Sequence, residues 1–270
     1  MARLAGKVVL ISGTGRGMGA VAARRFAEQG ALVVGGDLDE AAAHGTAKAC
    51  EQAGRPLAGV SGLDVTEEES VRDWVETAVE RHGRIDVLYN NAGAVRFGRI
   101  ADQPFADWRF TLSAELDSVF LVTRQAWPHL AASKGSIINV GSTAGMAGSL
   151  AVGRVAHTAS KGGVIAVTRQ LAAEGGPLGI RANSISPGLI ETEGTAESLL
   201  RPDGPMARAA AHIPLGRFGS ANEVVDVALF LASDEAAYVS GANITVDGGW
   251  SCVLNAPAPA PAPAAAPGAP

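Results

Sequence analysis

Gly13, Gly17 and Gly19 stand in the run Ser12-Gly13-Thr14-Gly15-Arg16-Gly17-Met18-Gly19, which closes an apolar stretch and opens one of helical period. Where a strand turns into a helix, residues without side chains let the backbone turn tightly and approach a pyrophosphate, whose charge then meets the unpaired amides of the helix N-terminus. Glycines alone could be only a turn. Asp37 adds an independent requirement, because it follows the next apolar run, eighteen residues after Gly19. A carboxylate there accepts both ribose hydroxyls and repels a 2′-phosphate. Together these residues point to a bound dinucleotide, and to NAD in preference to NADP. Arg16 could steady a phosphate and pulls the other way, but Asp37 would face the 2′-phosphate directly. Met18 and Leu38, beside these residues, are counted in the same cradle. The ordinary alternative for Asp37 is a helix cap, which Asp39 could supply as well.

These residues must be held by something, and the pattern of the chain says what. Short runs rich in Val, Ile and Leu cover 8–12, 31–35, 57–63, 85–90, 136–140, 180–185 and 243–246. Helical periods near 18–29, 39–53, 67–82, 107–132, 158–174 and 221–232 separate them. Such alternation predicts an α/β Rossmann-type doubly wound fold, a seven-stranded parallel sheet with helices on both faces. Thr66, ahead of Glu67, Glu68 and Glu69, is read as the cap of the third helix. Residues 187–219 are punctuated by Pro and Gly. An insertion after a strand's carboxyl end is placed to cover a ligand, so 189–213 is expected to form a lid.

The 270 residues, 47% hydrophobic and 18% charged, suit one domain over 1–255. Residues 256–270 are Pro, Ala and one Gly, expected to form a disordered, partly polyproline tail. A net charge of -5 argues against a nucleic-acid partner. No apolar run reaches the roughly 18 residues of a membrane helix, and the first residues do not read as a secretory signal. The expectation is a cytoplasmic protein with a small-molecule substrate. Cys50 and Cys252 lack metal or redox spacing, so both are read as packing residues. No metal site is evident.

From Gly6 to about Ser251 the chain resembles the classical short-chain dehydrogenase/reductase family, with motifs in the family's order. The glycine run looks like its coenzyme loop, and Asp64-Val65 resembles the pair that touches the adenine ring. Asn90-Asn91-Ala92-Gly93 closes the fourth strand as in the family. Pro187-Gly188, with Ile190 and Thr192 beyond, resembles the segment that holds the nicotinamide carboxamide, and Asp247-Gly248-Gly249-Trp250 is similar to the family's ending. The resemblance implies a Ser that orients the substrate oxygen, a Tyr that passes the proton, and a Lys four residues later that lowers the Tyr pKa and binds ribose. It also implies an Asn completing a water relay. Ser142 matches the Ser and Lys161 the Lys, whereas His157 stands where the Tyr is implied and Glu115 where the Asn is implied. Tyr89 and Tyr238 are the only tyrosines, and neither reaches that position by a small shift.

An imidazole is shorter than a phenol and titrates near neutrality, about 6.5 against 10 for Tyr. Lys161 and an oxidised nicotinamide, both positive, favour its neutral form, which accepts a proton from an alcohol. Oxidation should therefore suffer less from the exchange than reduction. Glu115 is read either as a partner of Lys161 or as an ordinary helix-surface carboxylate. Met146, Leu150, Val152, Leu189 and Ile190 are expected to line the substrate pocket, with Arg208 and His212 in or near the lid. The leading expectation is an NAD-dependent oxidoreductase of a hydrophobic secondary alcohol and its ketone, with His157 moving the proton. Two alternatives stay open. One is an inactive NAD-binding subunit partnering an active homologue, and the other is non-redox lyase, dehydratase or isomerase chemistry. The helices at 107–132 and 158–174 resemble the family's oligomer interface, which implies a homo-oligomer, tetramer or dimer, or a hetero-oligomer with that homologue.

Overall fold

Runs of Val, Ile and Leu too short for helices are stable as strands when both faces are covered, which is the condition inside a parallel sheet. Val8–Ser12 is buried at every position. The computed structural model describes residues 2–204 and 206–253. The expected tail, 256–270, lies outside them.

The main sheet contains β1 (Val8–Ser12), β2 (Leu32–Asp37), β3 (Gly59–Gly62), β4 (Val87–Asn90), β5 (Ser136–Val140), β6 (Arg181–Pro187) and β9 (Asn243–Val246). Seven strands lie in the order β3-β2-β1-β4-β5-β6-β9, and every neighbouring pair is parallel. The helices are α1 (Gly17–Glu28), α2 (Glu40–Gln52), α3 (Glu68–His82), α4 (Phe105–Leu112), α5 (Ser118–Ser133), α6 (Val155–Gly175), α7 (Glu193–Ser198) and α8 (Ala221–Ala232). One core joins α1 and α8 to the sheet through Phe26, Tyr89, Val224 and Leu229. The other buries Trp74 of α3 and Leu130 of α5 against Leu88 and Ile137. The predicted doubly wound fold is therefore present. Its strand order reverses between β1 and β4, and the crevice at their carboxyl ends is where such sheets take ligands.

Three local readings are corrected. Thr66 does not cap α3, because its hydroxyl donates to the Asp64 carboxylate at 2.6 Å and the helix begins at Glu68 without a side-chain cap. The single helix expected over 107–132 is two, α4 and α5, joined by a π-turn at Ser113–Asp117. That extra residue rotates Glu115 inward, and Ser118 Oγ donates to the Ala114 carbonyl across the same turn at 2.9 Å. In the sixth helix the start moves forward to Val155, so His157 and Lys161 share one helical face. Cys50 is buried as expected, whereas Cys252 is exposed. Among the described residues, no helix is long and apolar enough to cross a membrane.

The expected lid is partly regular. Ile190–Glu191 (β7) pairs in parallel with Gly219–Ser220 (β8), which fastens its two ends. Between them lie α7 and a short 3-10 turn at Ala209–His212.

Candidate active site

The coenzyme loop is shaped by what its glycines leave out. Gly17 adopts φ +56°, a left-handed conformation that L side chains rarely take. At Gly19 the limit is contact, since a Cβ there would lie 1.8 Å from the Gly13 carbonyl oxygen. The Asn91 amide donates to the carbonyls of Ser12 and Gly13 at 3.0 and 3.2 Å. Ser12 Oγ in turn accepts from the amides of Asn91 and Ala92, both at 3.1 Å. The ends of β1 and β4 are thus tied together at the reversal of strand order.

Asp37 closes the cradle from β2. Its Oδ2 accepts the Gly15 N–H at 2.7 Å and its Oδ1 the Asp39 N–H at 2.9 Å. The helix-cap role falls to Asp39, which accepts from Ala42 N at 3.0 Å. Gly15, which the sequence reading passed over, therefore holds the carboxylate in place, and a Cβ there would meet it at 2.9 Å. Its signal was its place as the second of the four glycines in the loop. The buried oxygens Thr14 Oγ1 and Asn91 Oδ1 have no partner. Unclaimed acceptors, an open backbone and a carboxylate at the end of β2 fit a dinucleotide.

The other predicted coenzyme residues divide between surface and frame. Arg16 is exposed at the head of α1 and Leu38 is exposed beside Asp37, while Met18 packs partly against the core. Asp64 accepts from the Thr66 amide at 2.9 Å, and Val65 rests against the second core. Pro187 pairs with Val246, and Gly188 passes so close to Asp247 that a Cβ would lie 2.7 Å from it. Thr192 caps α7 and approaches Gly17, 3.8 Å from where a Cβ would stand, so the 187–192 segment crosses over the coenzyme loop. The side chain of Ile190, expected in both the coenzyme site and the substrate pocket, is buried in the core.

The titratable residues converge on the other side of the crevice. His157 Nδ1 lies 2.8 Å from Glu115 Oε2 and 2.9 Å from Oε1. Lys161 Nζ lies 3.7 Å from Glu115 Oε1 and donates to the Val140 carbonyl at 2.9 Å. Glu115 is 4% exposed and Lys161 6%, so neither is a solvated helix residue. A carboxylate at Nδ1 holds that nitrogen as the N–H donor and leaves Nε2 to accept a proton. It also offsets the positive field expected at His157, since Glu115 faces both the imidazole and the ammonium. Gly93 joins this cluster to the coenzyme side, because a Cβ there would come within 3.5 Å of Glu115 and 3.9 Å of Lys161.

Ser142 heads the 3-10 turn Thr143–Gly145 and accepts from Ala144 N at 3.0 Å, so it does cap its loop. Gly145 approaches the Lys161–Gly162 backbone so closely that a Cβ would lie 2.5 Å from it. The turn that carries Ser142 is thereby seated against α6. The two tyrosines stand elsewhere. Tyr89 is fully buried and stacks on Phe26 with ring centroids 6.0 Å apart, its phenol pushed up by burial, and Tyr238 is exposed.

A cleft of about 860 Å³ opens between the loop after Ser142 and the lid. Of the expected apolar lining only Leu150 faces it, whereas Met146 turns its sulfur toward Asn243 Nδ2 at 3.3 Å. Arg208 and His212 do line it. The sequence reading missed Met206, Trp250 and Arg154 in the walls, and also Phe97, whose ring stands edge-on to His157 at 6.1 Å. No spacing signal marks them, because they come from four separate segments. Among the described residues no cluster of His, Cys, Asp or Glu could hold a metal ion.

A family model described as enoyl-(acyl carrier protein) reductase matches residues 13–251. The chain is 40% identical over 254 residues to a 3-oxoacyl-[acyl-carrier-protein] reductase of Thermotoga maritima, covering 92% of this chain and 98% of the relative. It is 42% identical over 252 residues to a trans-4-hydroxycyclohexanecarboxylate dehydrogenase of Sinomonas cyclohexanicum, covering 92% and 93%. The crystal structure of levodione reductase superposes with a TM-score of 0.85 at 32% identity, covering 93% of this chain and all of the other. Fold and crevice define a dinucleotide-type oxidoreductase. The chain belongs to the short-chain dehydrogenase/reductase family, whose members bind nicotinamide coenzymes, and is an enzyme of that family.

Proposed function

We propose that this enzyme interconverts a hydrophobic secondary alcohol and its ketone with NAD(H), using His157 in the place of the family's Tyr and Glu115 in the place of its Asn. The observation that carries the reading is the 2.8 Å contact of Glu115 with His157 Nδ1. A substitution that merely disabled the enzyme would have no reason to bring a buried carboxylate with it. The relatives act on alcohols or ketones by name, including a diol dehydrogenase and a hydroxysteroid dehydrogenase.

When bound, a nicotinamide coenzyme would supply the hydride acceptor or donor. Asp37 would accept from its ribose, Gly13, Gly17 and Gly19 would admit its pyrophosphate, and Lys161, Asn91, Ala92 and Gly93 would flank the reactive end. Ser142 Oγ would donate to the substrate oxygen and orient it. In the oxidative direction His157 Nε2 takes the hydroxyl proton as the carbonyl forms, and Glu115 stabilises the imidazolium that results. Lys161 stands 3.7 Å from that carboxylate. Phenylalanines exposed along α4 and α5, Phe105, Phe110 and Phe120, mark the face on which copies of the chain would pair.

The test supplies NAD and a panel of secondary alcohols that includes butanediol, cyclohexanol and 4-hydroxycyclohexanecarboxylate, and follows NADH in wild type, His157→Ala and His157→Tyr. Wild type should turn over, with His157→Ala slower by about 10²–10⁴-fold. Activity confined to the Tyr variant would defeat the proposal in favour of a non-catalytic subunit. Product without NADH would point to non-redox chemistry.

A further inference from the structure

The cleft walled by Thr143, next to Ser142, and by Arg154, at the head of the helix that carries His157, has a charge that the rest of the molecule does not. The chain carries a net charge of -5, and its exposed arginines are commonly matched by acids, as Arg96 is by Asp107 at 2.7 Å and Arg217 by Glu223 at 2.6 Å. Arg154, Arg208 and His212 line the cleft, and among the described residues no Asp or Glu does. Arg99 adds a further cation near its rim, donating to the Leu150 carbonyl at 3.3 Å.

Arg154 is the most constrained of these groups. It immediately precedes α6, three residues before His157. Its hydrogen bond among the described residues goes from Nη2 to the Ala147 carbonyl at 3.1 Å, while its Nε is buried with no partner. Burial pushes the guanidinium below the ordinary arginine range. A half-buried guanidinium whose Nε has no partner costs free energy unless an anion reaches it, and its planar fork matches a carboxylate. The remaining walls, Leu150, Met206 and Trp250 among them, are apolar. They suit a hydrocarbon body between a reacting hydroxyl at His157 and an anionic end at Arg154.

We propose that the substrate is a hydroxy acid or oxo acid, an apolar secondary alcohol or ketone carrying a carboxylate that Arg154 binds in the cleft and Arg208 covers from the lid. This rests on the alcohol/ketone reading above and narrows it.

The test compares 4-hydroxycyclohexanecarboxylate with its methyl ester as kcat/KM under NAD, in wild type, Arg154→Gln, Arg154→Lys and Arg208→Gln. The acid-to-ester ratio is read within each variant, so general damage near His157 cancels. Wild type should favour the acid by about 10–100-fold. That ratio should fall close to one in Arg154→Gln, and less far in Arg154→Lys and Arg208→Gln. Equal use of acid and ester by wild type, or a ratio unmoved by Arg154→Gln, would overturn the proposal while leaving the alcohol/ketone reading intact. Calorimetric titration of cyclohexanecarboxylate, which has no hydroxyl to oxidise, covers the case in which no alcohol turns over. Binding that Arg154→Gln weakens supports the anion site without the redox reading, and no binding at millimolar concentration overturns it.

Discussion

The glycine loop after β1 and the cluster of Glu115, His157 and Lys161 lie on opposite sides of one crevice and are built by different means. On the coenzyme side the shape comes mainly from backbone and from missing side chains within residues 12–37, strapped from β4 by Asn91 and Ala92. On the other side Glu115 and His157 meet across 42 residues, with Lys161 one turn further on, each held by a different local device: a π-turn, the first turn of a helix and a buried lysine bonded to Val140. Sterics leave almost no freedom in the first region. In the second, on the proposed function, a group can be exchanged for another that moves a proton, provided its partner changes too.

Gly19→Ala tests that difference most severely. The added Cβ would lie 1.8 Å from the Gly13 oxygen and 2.6 Å from Asn91 Nδ2, so the β1–β4 strap must open. Overpacking of this kind costs about 3 kcal/mol, and NADH affinity, read by nicotinamide fluorescence, should fall by at least about 100-fold. Gly17→Ala should be far milder, since it meets only the Thr192 side chain, at 3.8 Å, and costs about 1–2 kcal/mol for its left-handed backbone. Equal effects at the two positions would break the argument that contact, rather than flexibility, shapes the loop.

The same contrast explains what could be read without coordinates. The loop of Gly13, Gly17 and Gly19 between a strand and a helix, with Asp37 at the end of the next strand, was legible because that context is local, and the seven-stranded parallel sheet followed from the alternation of apolar runs and helical periods. Glu115 was not placed, because periodicity over 107–132 assumes 3.6 residues per turn and a π-turn shifts the face by one residue. Thr66 looked like a cap by type, but Asp64 competes for its hydroxyl. The cleft was the least legible feature, since Arg154, Met206 and Trp250 share no pattern and meet only through the fold.

Glu115→Gln sharpens the comparison on the side-chain side. The amide keeps the volume and a hydrogen bond to Nδ1 but removes the charge that stabilises the imidazolium. We expect kcat to drop by about 10–100-fold, the range for a partner that orients an imidazole, with NADH affinity changed little. Loss of coenzyme binding along with kcat would mean that the carboxylate shapes the whole crevice, and the division into two regions would fail. Adding His157→Tyr should restore part of the rate, because a phenol does not need that carboxylate.

Asp37→Asn is expected to act on the coenzyme side alone, through a side chain in a region otherwise made of backbone. The preference for NADH over NADPH should shrink by about 10-fold, from loss of a charge-assisted bond and of repulsion toward a 2′-phosphate. Wild type that binds NADPH more tightly than NADH would defeat the use of Asp37 altogether.

The smallest effect is expected from a side chain that belongs to neither region. Glu223 fastens the end of the lid segment to α8, accepting from Arg217 Nη2 at 2.6 Å and from the Ser220 amide at 2.7 Å. The Arg217 guanidinium, first, and then the Ser220 amide hold its carboxyl down at about 2. Because the folded value lies below the unfolded one, the stabilisation is fully present above about pH 4.3, the ordinary Glu value, and is lost as pH falls toward 2. The pair is solvent-screened, so its share is small. Glu223→Gln should lower Tm by about 1–3 °C at pH 7, a gap that closes as the pH approaches 2. If kcat fell as well, the lid anchor would have to be counted with the proton-transfer cluster, since side chains distant from the crevice would then set its geometry too.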